Sequence, residues 1–421
     1  MRRRAVRLAG LTLGILGLFQ VTGCQDATQV EWWISVPPAA ETVFRTKVEA
    51  FNKAHPGQVV TLLNVPAGQV PDQLQTRLAK GQAPTFVTLS HHQIGDFPPD
   101  TFGSWGSKVA PAIRQDIFGA LWDHPAGSDS AWCIPLWMQH HFTADNTTML
   151  EKGGVIRIPV SLGEIVSQGK LFQATTGHQL WMPPFGDPDY AMSVFDQQGV
   201  ALVNRKMEPQ FHSGAAVQAL GWWVQQFADG VFPKESLDLT TSQAVARFQA
   251  GDVAMVSVLP KDILTLKDST HLKLRNLGAS RDISGESESV RSIVYGLYHP
   301  QKAPLGMVGQ NLVAFLQQPK VNLDIADAMN SLPVNGKTFA AGDFGAAAGG
   351  DVLFAFNRVG AAFVDKTTTT VGGLRQRALI AKAVRSAFLA ACRDGKPADV
   401  ALTEAAAMYT REAAPLKGAN P

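Results

Sequence analysis

Two pairs of adjacent histidines have the clearest potential for metal chemistry: His91 with His92, and His140 with His141. Neighbouring residues of a strand or extended loop point in opposite directions, so neither pair can chelate an ion by itself. One histidine from each pair could converge on an ion, but no flanking cysteine or carboxylate pattern supports this. We therefore expect no metal and no other cofactor, and metal transport stays an alternative.

The motifs of familiar enzyme classes are missing from the sequence. It has neither a G-x-S-x-G nucleophile turn nor an H-E-x-x-H zinc helix. An S-x-x-K match at residues 167–170 stands without the S-D-N and K-T-G motifs that accompany it in the enzymes that use it. Asp187 and Asp189 lie too close in sequence to supply groups on both sides of a glycosidic bond. We expect that the protein is not an enzyme.

Length and composition limit the remaining classes. The chain has 421 residues, enough for two domains, and its 45% hydrophobic content is too high for a disordered protein. Thirty-seven Lys and Arg residues are balanced by 35 Asp and Glu residues, so we expect no nucleic-acid partner. The three cysteines are too few for a disulfide scaffold or a four-cysteine zinc site.

The N-terminus has the pattern of an export signal. Four arginines precede an apolar run over residues 8–19. The run is too short to span a bilayer comfortably. The run is followed by V-T-G-C at residues 21–24, which resembles a bacterial lipobox. The resemblance implies a lipoprotein signal peptide over 1–23, cleavage before Cys24 and lipid attachment to its thiol. An uncleaved membrane anchor is the alternative.

Removal of that segment changes the charge balance, because it holds four arginines and no acidic residue. The remaining 398 of the 421 residues carry a formal charge of −2 instead of +2. Their two thiols, Cys133 and Cys392, could pair in an oxidising compartment, but two buried free thiols are the favoured expectation. We expect a soluble protein outside the cytoplasm, tethered to the membrane by the lipid on Cys24.

Hydrophobic periodicity predicts alternating strands and helices early in the chain. Strand, helix, strand, helix and strand are expected over 30–34, 39–55, 59–65, 70–80 and 85–89. Their short links indicate a parallel, doubly wound α/β sheet. Further elements are expected as a helix capped by Ser213, a helix over 243–250, a strand over 253–258, and two C-terminal helices over 379–393 and from Pro397. The polar segment 280–289 is expected to be an exposed loop.

Several motifs in this order resemble a known family. They are FNKAHPG at 51–57, LAKGQAP at 78–84, ALGWW at 219–223 with DGVFP at 229–233, FQAGDVAM at 248–255, and DGKPADVAL at 394–402. The chain resembles the extracellular solute-binding proteins of ABC transporters, in the sugar-binding family of the maltose-binding type. No single motif is highly specific, and their order and coverage of nearly all of the mature chain carry the resemblance.

The resemblance implies an α/β chain with the two-lobed periplasmic-binding-protein fold of type II. Each lobe would be a mostly parallel sheet flanked by helices, with the ligand cleft between the lobes. Lobe 1 would comprise residues 24–138 and 291–335, and lobe 2 residues 139–290 and 336–421. The implied function is capture of a carbohydrate by lobe closure and delivery to the permease subunits of an ABC importer, by a monomer.

Sugar binding requires aromatic faces that stack on sugar rings and planar polar groups that bind adjacent hydroxyls. Ligands of open α/β sheets bind beyond the carboxyl ends of the strands, where the resemblance places most polar contacts. Trp32 and Trp33 point to opposite faces of one strand, so at most one is expected in the core. The candidate ligand contacts are Trp33, Ser90, His92, Gln93, Trp137, Gln139, Trp181, Asp187, Tyr190, Lys261, Gln310 and Asn311.

Two positions depart from the family pattern. Lys261 ends a Leu-Pro-Lys segment where the family commonly has Gly-Pro-Trp, and Lys382 stands in place of a tryptophan of the penultimate helix. If both lysines faced the cleft, an acidic or phosphorylated sugar would fit better than a neutral oligosaccharide, although surface lysines are the commoner explanation. The resemblance also leaves open a polyamine or a metal as the solute, and a sensor or scaffold lipoprotein that transports nothing.

Overall fold

The computed structural model describes residues 29–98, 100–122, 133–204, 206–266, 276–285, 290–341 and 376–417, together with 356, 358–360, 362, 367 and 368. The expected signal peptide, 1–23, and the expected lipidation site Cys24 lie outside these described residues. Within the described ranges, no helix is both long enough and apolar enough to cross a membrane.

The strands and helices are numbered in chain order. The strands are β1 Gln29–Ile34, β2 Val59–Asn64, β3 Phe86–Ser90, β4 Cys133–His140, β5 Phe142–Asn146, β6 Gln179–Trp181, β7 Val253–Val258, β8 Leu277–Arg281, β9 Val290–Tyr298, β10 Leu332–Pro333 and β11 Thr367–Thr368. The helices are α1 Pro38–Ala54, α2 Val70–Ala79, α3 Pro111–Asp116, α4 Thr147–Lys152, α5 Leu162–Thr176, α6 Tyr190–Gln197, α7 Gly214–Ala228, α8 Thr241–Ala250, α9 Pro260–Leu266, α10 Gly306–Leu316, α11 Pro319–Ala328, α12 Gly336–Ala341, α13 Arg377–Cys392 and α14 Ala398–Lys417.

The first sheet has the strand order β10-β4-β9-β3-β1-β2, and β11 also pairs with β9. β1 is parallel to β2 and β3, whereas β9 is antiparallel to β3 and β4. Trp32 packs with Phe44 of α1 on one face, and Trp33 lies in a cluster with Leu74 of α2 on the other. Both tryptophans are therefore buried. The expectation that only one would face a core is wrong, because helices cover both faces of this sheet.

The helices begin and end where local signals predict. α1 has a proline in its first turn and buries Phe44, Val48 and Phe51 at helical spacing. The predicted cap of α7 is confirmed, since the Ser213 side chain accepts a hydrogen bond from Ala216 N. These signals are local, so they can be read from the sequence without knowledge of the tertiary contacts.

The second sheet has the order β6-β7-β5-β8. β6 and β7 are parallel, and β5 is antiparallel to both β7 and β8. Its main core contains aromatic residues of α6, α7 and α13 around Phe185, whose ring centroid lies 5.0 Å from those of Trp223 and Phe388. The two sheets, each with its own helices and core, confirm the predicted two-lobed α/β architecture. The expectation of a mostly parallel sheet in each lobe is wrong for the second sheet, because β5 lies between β7 and β8 and runs opposite to both.

The connections between the lobes lie side by side. His141 alone separates β4 of the first sheet from β5 of the second. Its backbone N donates to Arg291 O at 2.9 Å, which extends the pairing of β4 with β9. Thr367 of β11 pairs with Val290 at the start of β9. Residues at this boundary can therefore contact groups from both lobes.

Two segments lie differently from expectation. α12 packs on the first lobe, where the rings of Phe339 and Phe118 are 4.9 Å apart, so this lobe extends beyond residue 335. The prediction of an exposed loop over 280–289 is wrong for Asp282 and Ser284, which are fully buried. Asp282 is buried because it pairs with Arg291, a partner that the polar composition of the segment does not reveal.

Cys133 and Cys392 are buried in different lobes and are not joined to each other. Cys133 lies in β4 of the first sheet, and Cys392 ends α13 of the second lobe. Burial raises the pKa of the Cys392 thiol to about 12, so the thiol is protonated at neutral pH. This arrangement agrees with the expectation of two buried thiols.

Gly296 of β9 lies so close to β4 that an added Cβ would be 2.8 Å from both Cys133 Sγ and Ile134 O. We expect Gly296→Ala to lower the free energy of unfolding by about 1–3 kcal/mol, because overpacking forces neighbouring groups apart. Gly221→Ala in α7 is the matched control, since its added Cβ meets nothing within 4 Å and alanine favours a helix. Urea unfolding measures the free energy of unfolding of both variants. A value for Gly296→Ala equal to that of the unsubstituted protein would contradict the close contact.

Candidate functional site

The carboxyl ends of β1, β2 and β3 meet at one edge of the first sheet, because the three strands are parallel. The segments 35–38 and 64–67, which follow β1 and β2, line a cavity of about 440 Å³. Asn64 ties the two segments together: its Oδ1 accepts from Val36 N and its Nδ2 donates to Val36 O, both at 3.1 Å. Sequence reasoning missed these segments, although the rule that selects Ser90 after β3 applies to them equally.

The segment after β3 forms a short 3-10 helix that starts at His91. Gln93 Oε1 accepts from Ser90 N at 2.9 Å and from Ser90 Oγ at 3.1 Å, so this amide oxygen holds the loop. His91 is 1% exposed, and its Nδ1 accepts a hydrogen bond from Val294 N at 3.0 Å. His92 is partly exposed beside it, with the ring centroids 4.4 Å apart. The predicted residues Ser90, His92 and Gln93 thus lie together at the expected edge.

The strands β4 and β9 bring two further histidines to the boundary between the lobes. His140 is fully buried at the end of β4, with its Nδ1 3.4 Å from Ser292 Oγ. His141 links β4 to β5 and is partly exposed. In the part of the chain that the structure describes, however, no group of three or more His, Cys, Asp and Glu residues is placed to hold a metal ion.

The guanidinium of Arg291 connects the lobes. Its Nε and Nη2 donate to the two carboxylate oxygens of Asp282 at 2.7 and 3.1 Å, and Asp282 also accepts from Ser257 Oγ at 3.1 Å. The guanidinium carbon lies 5.2 Å from the ring centroid of Tyr190. Burial opposes the charge of Arg291, but the neighbouring Asp282 raises the pKa of this guanidinium overall. Arg291 belongs to β9 of the first sheet, whereas Asp282 and Tyr190 belong to the second lobe.

α13 of the second lobe begins beside the 3-10 helix of the first. There, Arg377 Nη2 lies 2.6 Å from Asp189 Oδ2. Arg377 Nε is buried without a hydrogen-bond partner among the described residues, and so are the Nε2 atoms of His91 and His140. Because buried polar atoms normally have partners, each of these three nitrogens can bind a polar group of a ligand.

The histidines at the boundary are neutral near pH 7. Burial lowers the pKa of His91 and of His140 to about 4. Burial also has the largest effect on His92 and His141, and nearby positive charge adds to it, so their pKa values lie well below the usual range. Each neutral ring can donate one hydrogen bond and accept another.

The three tryptophans among the predicted ligand contacts lie in the cores. Trp33, Trp137 and Trp181 are at most 2% exposed. Trp137 stacks on Tyr295 with ring centroids 5.0 Å apart, and Trp181 meets Phe232 edge-on at 5.9 Å. None of the three rings offers an open face to a solute, so this packing gives no support to the stacking role predicted for them.

Three predicted residues lie on the second-lobe side. Asp187 follows β6 and accepts a hydrogen bond from Thr241 N at 3.0 Å. Tyr190 begins α6 and is 6% exposed beneath Arg291. Lys261 is exposed on α9, immediately after β7. Because β6 and β7 are parallel, these residues share one edge of the second sheet.

Gln310 and Asn311 lie away from the boundary, on α10. Asn311 Nδ2 donates to Gln58 Oε1 at 3.1 Å, and Gln58 precedes β2. α10 therefore lies at the amino edge of the first sheet, opposite the edge that carries Ser90. The predicted ligand contacts at Gln310 and Asn311 lack support, because the chain turns back along the sheet after β9.

Two other polar residues are engaged by the protein itself. Gln139 Nε2 donates to Ser331 Oγ at 3.2 Å. Lys382 Nζ lies 2.8 Å from Glu412 Oε2 of α14, and the lysine side chain is 60% exposed. Of the two lysines that replace family tryptophans, Lys382 therefore lies on the outer surface and Lys261 lies near the boundary.

Sequence reasoning missed the residues that form the centre of this site. The histidine pairs are visible in the sequence, but of the four histidines only His92 was predicted to contact a solute. Arg291 stands at the predicted start of the return to lobe 1, which is a signal that could have identified it. Arg377 and Asp282 carry no local signal, because their partners are remote in sequence.

Comparisons with known protein families and solved structures identify the family and the fold of this chain. The family described as bacterial extracellular solute-binding protein matches residues 38–274, which is more than half of the chain. The sugar-binding protein MalE from Xanthomonas citri is similar with a TM-score of 0.76 at 17% identity, covering 92% of this chain and 99% of that one. No curated protein matches at the level of sequence.

Two further solved structures share the fold. Maltose-binding MalE from Listeria monocytogenes has a TM-score of 0.72 at 13% identity, covering 91% of this chain and 97% of that one. The cyclic alpha-maltosyl-1,6-maltose binding protein from Arthrobacter globiformis has a TM-score of 0.70 at 13% identity, covering 91% and 99%. These likenesses confirm the two-lobed type II fold. Together with the family match, they show that the chain belongs to the bacterial extracellular solute-binding proteins.

Proposed function

We propose that the protein captures a sugar between its two lobes and delivers it to the permease subunits of an ABC importer. The observation that carries this proposal is the polar cluster of His91, His140, Arg291 and Arg377, where elements of both lobes meet. Several solved proteins of the same fold are named for binding maltose or larger glucosides. The family binds solutes, and we propose that this member releases its ligand chemically unchanged.

Capture of a solute by lobe closure follows because the residues of the candidate site are divided between the two lobes. Residues after β3 belong to the first lobe, and residues after β6 and β7 belong to the second. A solute that contacts both sets gains contacts when the lobes close, so it shifts the population toward the closed state. A micromolar affinity corresponds to about −8 kcal/mol, which a few well-placed hydrogen bonds and a buried ring can supply.

The capture proposal is tested by a thermal-shift screen of neutral and acidic mono- and oligosaccharides, repeated by tryptophan fluorescence. At a hundredfold excess over the dissociation constant, a ligand adds about 2.7 kcal/mol, which raises the melting temperature by several degrees. Chromatography then recovers the ligand. A response to a peptide, polyamine or metal and to no sugar would contradict the assignment of a sugar ligand. Recovery of a chemically altered ligand would show that the protein is an enzyme.

The tether is a separate proposal, in which lipid on Cys24 holds the monomeric protein at the outer face of a membrane. It is supported by the lipobox-like residues 21–24 and by membership of an extracellular family. In cells, Cys24→Ser is expected to move the protein from the membrane fraction to the soluble extracytoplasmic fraction. Equal membrane association of both forms would contradict the lipid tether.

A further inference from the structure

Three buried nitrogen atoms at the boundary between the lobes have no hydrogen-bond partner in the described part of the chain: His91 Nε2, His140 Nε2 and Arg377 Nε. Both histidines are at most 1% exposed. The atoms come from three elements, namely the 3-10 helix after β3, the end of β4 and the start of α13. Since buried polar atoms rarely lack partners, their presence here indicates a polar group that the described residues do not supply.

The protonation of these atoms decides what they can bind. His91 Nδ1 lies 3.0 Å from Val294 N and 3.3 Å from Val294 O, and the shorter contact favours the tautomer in which Nδ1 accepts from the backbone N and the proton is on Nε2. In that tautomer His91 Nε2 donates, and the Nε of Arg377 always carries a hydrogen. His140 can donate or accept, because its Nδ1 faces the Ser292 hydroxyl, which can do both. A group that presents acceptors satisfies Arg377 Nε and, in the favoured tautomer, His91 Nε2.

The acidic side chains at the boundary are already engaged. Asp282 accepts from Arg291 through both oxygens and from Ser257 through one of them. Asp189 Oδ2 lies 2.6 Å from Arg377 Nη2, which is a different nitrogen from the unpartnered Nε. These carboxylates therefore leave the donors on His91 and Arg377 without an acceptor.

Three cationic side chains lie near the same histidines, and two of them, Arg291 and Arg377, are paired with Asp282 and Asp189. Burial is the main cause that lowers the pKa of His92 and His141, and the cations add to it: Arg377 acts on His92, while Arg291 and Lys261 act on His141. The cationic contribution to these shifts, unlike that of burial, also favours a bound anion. The donors and the charge thus indicate the same kind of ligand group.

We propose that the solute is an anionic sugar whose carboxylate or phosphate accepts hydrogen bonds from His91 Nε2 and Arg377 Nε. This deepens the proposed function and rests on it. His91 belongs to the first lobe and Arg377 to the second, so an anion held by both favours the closed state. A carboxylate or phosphate suits the site because each offers several acceptor oxygens and no obligatory donor.

The test uses matched sugars that differ only in the anionic group: glucose with glucuronate and glucose 6-phosphate, and galactose with galacturonate and galactose 6-phosphate. Calorimetry on the purified protein is expected to show one anionic member binding at least about tenfold more tightly than its neutral counterpart. The preferred member distinguishes carboxylate from phosphate. Equal or tighter binding of the neutral sugars would overturn the anion inference and leave the capture proposal intact. No binding of any sugar, including maltose, would overturn both.

Two variants test the assigned donors. His91→Asn keeps an acceptor for Val294 N but lacks the distant donor, and Arg377→Gln removes the charge. Each is expected to weaken binding of the anionic sugar by about tenfold and to change binding of the neutral counterpart much less. Lys382→Gln is the matched cation control on the outer surface, and it should leave the anion-to-neutral ratio unchanged. If neither His91→Asn nor Arg377→Gln lowers this ratio, the assignment is wrong.

Discussion

Arg291→Met is expected to lower the free energy of unfolding by about 3–5 kcal/mol, the cost of leaving a buried charge without its partner. Asp282 is 0% exposed, and Arg291 satisfies both of its carboxylate oxygens. Methionine retains much of the packing against Tyr190 but supplies no hydrogen-bond donor. Urea unfolding at neutral pH, followed by tryptophan fluorescence and circular dichroism, measures the effect.

Two further variants separate this effect from a general loss of arginine. Arg247→Met breaks exposed ion pairs with Glu235 and Asp252, and it is expected to change stability by less than about 1 kcal/mol. In the double variant Arg291→Met with Asp282→Leu, no charge is left unpaired, so much of the lost stability should return. A double variant less stable than Arg291→Met would show that Asp282 supports the fold through other contacts.

Asp145→Asn is expected to stabilise the protein above pH 7 and to have little effect near pH 4. Asp145 is fully buried in β5; its Oδ1 accepts from Ser280 Oγ at 3.2 Å, and its Oδ2 has no partner among the described residues. Burial therefore raises the pKa of Asp145 from 3.8 to about 7. Asparagine resembles the protonated carboxyl in size and carries no charge at any pH.

The direction of this pH dependence follows from the numbers of protons that the folded and unfolded states bind. Between about pH 4 and pH 7, the folded protein keeps a proton on Asp145 that the unfolded chain has lost, so this group's contribution to stability falls as pH rises. The total loss is about 4 kcal/mol, since each pKa unit corresponds to about 1.4 kcal/mol. Above pH 7 the contribution is constant.

The measurement is the difference in unfolding free energy between Asp145→Asn and the parent at several pH values from 4 to 8. The difference isolates Asp145 from His91 and His140, whose lowered pKa values have the opposite effect, namely a loss of stability as pH falls below about 6.5. Asp229→Asn, at an exposed position, is the control and should show no such trend. A difference that stays constant across this range would contradict the buried, protonated state of Asp145.

The helices and strands that were predicted carry local signals. β7 has the predicted bounds, 253–258, and Ser213 caps α7 as its side-chain type suggests. The edge of the first sheet that carries Ser90, His92 and Gln93 could also be predicted, because parallel strands place their carboxyl ends together. The periods of strands and helices thus suffice to locate one side of the cleft.

The aromatic contacts could not be predicted in the same way. Strand alternation separates Trp32 from Trp33 but does not reveal that helices cover both faces of the sheet. Trp137 lies in β4, where nearly every residue is buried, and its ring stacks on Tyr295, far along the chain. Whether an aromatic ring faces a solute or a core depends on which remote element packs over it.

The sequence by itself indicated the family, predicted an export signal, and located several helices and strands and the sheet edge at which a solute would bind. Only the tertiary structure decided which side chains form the centre of the boundary, because Arg291 with Asp282 and His91 with Arg377 come from different elements and lobes. Local patterns record backbone periodicity, whereas a partner for a charge or a buried nitrogen depends on how distant segments pack.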